Sequence, residues 1–185
     1  VSGLNAKQLV LGDDFRFGHA RMGDIALLKK LSPTYGFEVE VYSKIHLSSM
    51  PVSSTAIRQA LTLGQFDKVE AMLGQPYVIS GRVRHGDKLG QAMGFPTVNI
   101  RLMHEVSLSG IFAVTVEGLD DHPVLGAGYV GTRPTVGGTT CQLEVHCLDY
   151  QKDCYGALIQ VKFHGKIRED CQFDSMEAMK VQIDA

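Results

Sequence analysis

The sequence runs to 185 residues, 44% of them apolar and 21% charged, a composition that suits one or two soluble folded domains. Lys and Arg total 18 against 20 Asp and Glu, for a net charge of −2, so the general basic excess of a nucleic-acid binder is excluded and any bound phosphate must be held locally. The longest apolar runs fall far short of the roughly 20 residues that span a bilayer, and no basic segment precedes an apolar one as in a signal peptide, so neither a membrane partner nor secretion is expected. The four cysteines, Cys141, Cys147, Cys154 and Cys171, form no CxxC pair, and reduced thiols in a cytoplasmic protein are the expectation. The chain opens at Val1 rather than Met, which suggests a fragment.

The first half alternates strand and helix. Residues 8–11 form a short apolar strand that Gly12-Asp13-Asp14 ends, and Asp24 stands before Ile25, Leu27, Leu28 and Leu31 at helical spacing. Residues 37–41 alternate as a half-buried strand does. Ser53-Ser54-Thr55 offer hydroxyl caps to a helix bearing Ile57, Ala60 and Leu61, closed by Gly64. A second short helix follows, with Asp67 and Glu70 spaced as a capping box, Val69, Met72 and Leu73 as its apolar face, and Gly74 and Pro76 as its stop. This order predicts an α/β unit over residues 1–74.

From Tyr77 on, the period changes to two. Tyr77, Ile79, Gly81 and Val83 share one strand face, residues 111–116 and 125–130 are further strands, and Leu143, Val145 and Cys147 alternate with Glu144, His146 and Leu148. Ile159, Val161 and Phe163 alternate with Gln160 and Lys162. Five or six short strands between Gly-, Pro- and Asp-rich turns predict a small antiparallel barrel, closed or nearly so, over residues 77–185. Asp174 and Glu177 are again spaced as a capping box, ahead of a C-terminal helix with Met176, Met179 and Ile183.

Four segments carry residues suited to chemistry. Gly86, Gly90 and Gly94, with Lys88 between them, can bring backbone N–H groups to an anion or can simply mark turns; their spacing matches neither a P-loop nor a Rossmann fingerprint. Thr97 and Asn99, two apart on a starting strand, point the same way and offer oxygen ligands that suit Mg²⁺ with phosphate. Glu144 sits mid-strand on the face opposite the apolar residues, as a solvent-facing carboxylate does. With His146 it forms a Glu-x-His pair, but no third metal ligand lies at recognisable spacing, and the other histidines are dispersed. Gly131-Thr132-Arg133-Pro134-Thr135 reads as a loop before the Glu144 strand, and Ile167-Arg168-Glu169 with Phe173 is the fourth segment. In the first half, Ser53, Ser54, Thr55 and Arg58 at a helix start suit either phosphate or ordinary N-capping.

Taken together, LGDDFRFG at 11–18, SSTAIR at 53–58, GRVRHGDKLG at 81–90, GFPTVNI at 94–100, GTRPT at 131–135, LEVHCLDY at 143–150, YG at 155–156, IRED at 167–170 and FDS at 173–175 resemble the bifunctional bacterial riboflavin kinase/FAD synthetase family. The resemblance covers nearly the whole chain. It implies a Rossmann-like nucleotidyltransferase remnant, the C-terminal part of an FMN adenylyltransferase domain, over residues 1–74. It further implies that a six-stranded antiparallel β-barrel that phosphorylates riboflavin with Mg-ATP follows over residues 77–185. It also implies that Thr97 and Asn99 hold Mg²⁺ and the ATP phosphates, and that Gly81, Gly86, Lys88 and Gly90 belong to a loop wrapping the nucleotide. Glu144 matches the proposed catalytic base and Arg168 a flavin-side residue. Asp14, Phe15, Phe17, Ser53, Ser54, Thr55 and Arg58 match the adenylyltransferase, with riboflavin, ATP and FMN as the small-molecule partners.

Two features depart from that family. Gln91 stands where the family usually carries Arg, and no HxGH signature precedes Val10, so this chain alone is expected to make FMN but not FAD. A flavin- or nucleotide-binding barrel without turnover is the alternative; Thr97, Asn99 and Glu144 together argue against it, since storage requires neither a base nor metal ligands. An oligonucleotide-binding barrel fits the fold but not the charge, the 8% aromatic content or the absence of Trp.

Overall fold

Residues 8–12 and 38–42 run side by side in parallel in the computed structural model, which describes residues 3–86, 97–135, 138–150, 152–171 and 181. These strands, β1 (Gln8–Gly12) and β2 (Glu38–Tyr42), flank helix α1 (Ile25–Tyr35), as the alternating pattern predicted. Asp24 caps α1 by accepting a 2.9 Å hydrogen bond from the Leu27 N–H, which satisfies one of the donors a helix start leaves open. Gly36 ends it at φ 68°, a left-handed conformation that costs glycine least. A short hairpin, β3 (His46–Leu47) with β4 (Met50–Pro51), completes a compact unit that ends at Val52.

The second unit begins at Ser53, with α2 (Ser54–Thr62) and α3 (Phe66–Leu73) ahead of the strands. The hydrophobic period changes only after Gly74, yet both helices belong to the barrel's unit: α3 spends its apolar face on the barrel core and α2 packs against α3. Phe66 stacks on Phe163 at 5.7 Å and meets Phe112 edge-on at 5.8 Å, and Gly64 leaves the space that the Lys166 stem fills. This packing also corrects the expected capping box. Phe66 is the first residue of α3, so the N-cap is Gln65, which makes no side-chain cap bond, and Asp67 lies within the first turn.

Six strands follow: β5 (Val78–Arg82), β6 (Thr97–Arg101), β7 (Gly110–Glu117), β8 (Val124–Thr135), β9 (Gly138–Cys147) and β10 (Leu158–Arg168). They form one antiparallel sheet in the order β5-β10-β7-β8-β9-β6. The two edges meet and nearly close the barrel. The Arg84 N–H donates to the Asn99 carbonyl at 2.9 Å, and Ile100 packs where a side chain on Gly81 would stand. The inward face holds Ile100, Phe112, Val116, Val130, Leu143, Val145, Ile159 and Val161, each at most 2% exposed. At about 1.5–3 kcal/mol for each fully buried large side chain, this face fixes the register.

The segment Gly131 to Thr135, read from the sequence as a loop, is the end of β8 and stays paired to β9 as far as Thr135 opposite Gly138. Beyond Val130 the strand no longer pairs with β7, so β8 is an edge there, where Pro134 is tolerated without an N–H to donate. The residues of the predicted C-terminal helix, with Phe173, Asp174, Met176, Glu177, Met179 and Ile183, lie outside the described residues.

Two predictions follow from this packing. Phe66→Ala is expected to destabilise the barrel unit by about 3–5 kcal/mol in urea unfolding; a loss below about 1 kcal/mol would detach α3 from that core. Burial pushes the inward-facing Cys147 thiol from its ordinary 9.0 up to about 12, with a smaller contribution from Cys154. The folded state therefore holds this proton more tightly than the unfolded chain. The resulting stabilisation is complete below pH 9.0 and is lost as pH rises towards 12. In native alkylation near pH 8, exposed Cys171 should react first, and buried Cys141 and Cys147 only on unfolding; rapid native labelling of Cys147 would contradict the barrel register.

Candidate active site

The register that turns Leu143 and Val145 inward turns Glu144 and His146 outward. Residues directly opposite one another in an antiparallel pair share a face, so each ladder extends that outward set across the sheet. Asn99 on β6 stands opposite Glu144 on β9, and Thr97 stands opposite His146. Glu144 is in turn opposite Tyr129 on β8, Tyr129 opposite Ile111 on β7, and Ile111 opposite Arg168 on β10. One transverse row thus carries Asn99, Glu144, Tyr129, Ile111 and Arg168, all of intermediate exposure. Arg168 reaches it through a β-bulge between Lys166 and Arg168, which re-aims the strand end.

Thr97, Asn99 and Glu144, distant in sequence, therefore meet in one place. The Asn99 amide lies 3.3 Å from the Thr97 hydroxyl and 3.3 Å from the Thr97 carbonyl, so one side chain braces the other. Beside Glu144 this gives an amide, a hydroxyl and a carboxylate, all hard oxygen donors of the kind Mg²⁺ takes. Among the described residues no group of three or more His, Cys, Asp or Glu is arranged to hold a metal.

Two glycines shape the row. A side chain on Gly86 would meet the Asn99 carboxamide at 2.6 Å, so glycine at 86 leaves that carboxamide its place beneath the chain after β5. A side chain on Gly131 would collide with the Tyr129 hydroxyl, so that ring lies along β8 over Gly131, and its hydroxyl donates to Asp170 at 3.0 Å. Gly81, expected in a nucleotide loop, sits within β5, where its missing side chain admits Ile100. Lys88, Gly90 and Gln91 lie outside the described residues.

Arg168 is the last residue of β10; its guanidinium donates to the Glu169 carbonyl at 3.2 Å and lies 3.0 Å from the Cys171 sulfur. His85 and Tyr155 pack their rings 3.7 Å apart.

The remaining predicted residues divide between the two units. In the first, the turn after β1 holds Asp14, whose carboxylate lies 3.0 Å from Lys44; this hydrogen-bonded pairing lowers the Asp14 pKa. The Phe15 and Phe17 rings stack at 5.9 Å. In the second, the Ser53 hydroxyl accepts from the Ala56 N–H at 3.2 Å as the cap of α2. Ser54 and Thr55 fill the first turn, and Thr55 and Arg58 line a surface groove of about 440 Å³ with Gln59, Thr62 and Leu63.

The sequence alone does not single out Tyr129 in the row or Gln142 and Asp170 beside it. Gln142, two residues before Glu144 on the same face, donates its amide to Glu144 Oε1 at 2.6 Å. The Gln-x-Glu spacing in a strand was its available signal; Tyr129 needed the β8–β9 register.

A family model described as riboflavin kinase matches residues 73–185, and one described as FAD synthetase matches residues 1–56. A bifunctional riboflavin kinase/FMN adenylyltransferase of Escherichia coli K12 is 47% identical over 184 residues, 99% of this chain and 59% of the relative. The protein of the same description from Haemophilus influenzae is 43% identical over 185 residues, 100% of this chain and 60% of the relative. The chain thus spans about 60% of the length of the curated relatives it matches. Among solved structures, one from Streptococcus pneumoniae described as a macrolide-efflux protein superposes with a TM-score of 0.72 at 29% identity, over 99% of this chain and 59% of that one. Among the described residues no helix is long and apolar enough to cross a membrane.

Gly86→Ala is expected to displace the Asn99 carboxamide while costing less than about 1 kcal/mol of stability, because the clash is with a side-chain end and not with backbone. Side-chain amide NMR reads this directly. An unchanged Asn99 resonance would show that residue 86 does not overlie the site.

Proposed function

The chain belongs to the riboflavin kinase family, and from the pairing of Asn99 with Glu144 we propose that its barrel transfers the γ-phosphoryl group of ATP to the 5′-hydroxyl of riboflavin, giving FMN and ADP. That register is the observation that carries the reading, because it sets the Glu144 carboxylate beside the amide of Asn99 and the hydroxyl of Thr97, oxygen donors suited to phosphate and a hard cation. In the reaction the new O–P bond forms as the bond to the β-phosphate oxygen breaks, ADP leaves with that oxygen, and Glu144 takes the hydroxyl proton. Thr97 and Asn99 would hold Mg²⁺, which when bound offsets charge on the transferred phosphoryl group. Gly81, Gly86, Lys88 and Gly90 would serve ATP and its phosphates, with Gly86 admitting the close approach to Asn99. Arg168, held at the end of β10, faces the flavin side.

We assign the kinase to residues 77–185, flanked by α2 and α3, and the preceding residues to the FMN adenylyltransferase of the bifunctional relatives. There Asp14, Phe15, Phe17, Ser53, Ser54, Thr55 and Arg58 would serve conversion of FMN to FAD. The proposed setting is the cytoplasm, with riboflavin, ATP and FMN as partners and neither nucleic acid nor membrane.

The test is chromatographic analysis of products after incubation with riboflavin and ATP, with and without Mg²⁺. FMN should form only with Mg²⁺, and Glu144→Gln should lower kcat by about 10²-fold or more, the range for a lost general base. Riboflavin binding without FMN formation would favour a binding barrel, and a Glu144→Gln enzyme of wild-type rate would remove Glu144 from the role of base. Asn99→Ala should raise the Mg²⁺ concentration required for half-maximal rate by about tenfold or more.

A further inference from the structure

On β9, Gln142 and Glu144 point to the same face, about 6.8 Å apart along an antiparallel strand, a span that a glutamine side chain can cover. It does so: the Gln142 Nε2–H donates to Glu144 Oε1 at 2.6 Å. The surroundings of Gln142 narrow its choices. Its partner on β8 is Gly131, which has no side chain, and the place where that side chain would stand is taken by the Tyr129 hydroxyl, itself engaged with Asp170. Its partner on β6 is Arg101, which is exposed. An amide in this place fixes the plane of the carboxylate without adding charge, whereas a lysine or arginine would hold it strongly in the ionised form and weaken it as a base.

We propose that Gln142 is a positioning residue for Glu144, acting on phosphoryl transfer only through that carboxylate and not through either substrate. The inference rests on the reading of Glu144 as the base. It is tested by steady-state FMN formation with Gln142→Met, which keeps the volume and removes the N–H donor, with Glu144→Gln, and with the two combined. Gln142→Met should lower kcat about tenfold while the KM values for riboflavin and ATP stay within about twofold of wild type. The double variant should be no slower than Glu144→Gln alone, since the donor has nothing left to orient. Gln142→Asn, an amide one carbon short, carries the same expectation where Met disturbs the strand. A Gln142→Met enzyme of wild-type kcat beside an inactive Glu144→Gln, or two losses that multiply in the double variant, would overturn the inference and leave the base intact. A fully active Glu144→Gln would overturn the base reading, and the inference with it.

Discussion

The antiparallel ladder that joins β9 to β6 on one side and to β8 on the other decides what this barrel can do. A strand alternates its faces with a period of two, so burying Leu143, Val145 and Cys147 leaves Glu144 and His146 outside, and pairing sets Asn99, Thr97 and Tyr129 beside them. A slip of one residue would bury the carboxylate and expose the core. Core packing and site assembly are therefore one constraint: the hydrophobic face that stabilises the barrel also fixes the distances among polar groups on the other face.

The glycines show how the same scaffold admits close approach. Gly86 lets the chain pass over Asn99, Gly131 lets the Tyr129 ring lie flat along β8, and Gly81 takes Ile100 where the barrel edges meet. Each absent side chain is filled by a neighbour from another strand or from the same row. The polar row is held the same way, with Asn99 braced by Thr97, Glu144 by Gln142 and Tyr129 by Asp170. Strands place side chains more precisely than loops do, and Asn99, Glu144 and Tyr129 all stand on strands.

Much of this was legible in the residues. Period-two alternation located the strands, Asp24 and Ser53 marked helix starts that the structure keeps, and Thr97, Asn99 and Glu144 stood out by residue type. That the three meet was not legible without register, since the β8–β9 hairpin runs to Thr135 opposite Gly138, through a segment whose Gly and Pro read as a loop. The helices before the barrel were visible as amphipathic patterns, but periodicity does not say which core a helix covers, and Phe66 answers that only through Phe112 and Phe163. Gln142 and Tyr129 are ordinary strand residues by composition, and only their neighbours give them a role.

The most direct test of the central claim, that the strand register builds the phosphoryl-transfer centre, is a crystal structure with Mg²⁺, ADP and riboflavin bound. The account predicts the ion at Thr97 and Asn99, with the ribityl 5′-oxygen within about 3 Å of a Glu144 carboxylate oxygen, the reach a general base requires. Nucleotide and flavin bound elsewhere on the barrel, with Glu144 facing only solvent, would contradict it.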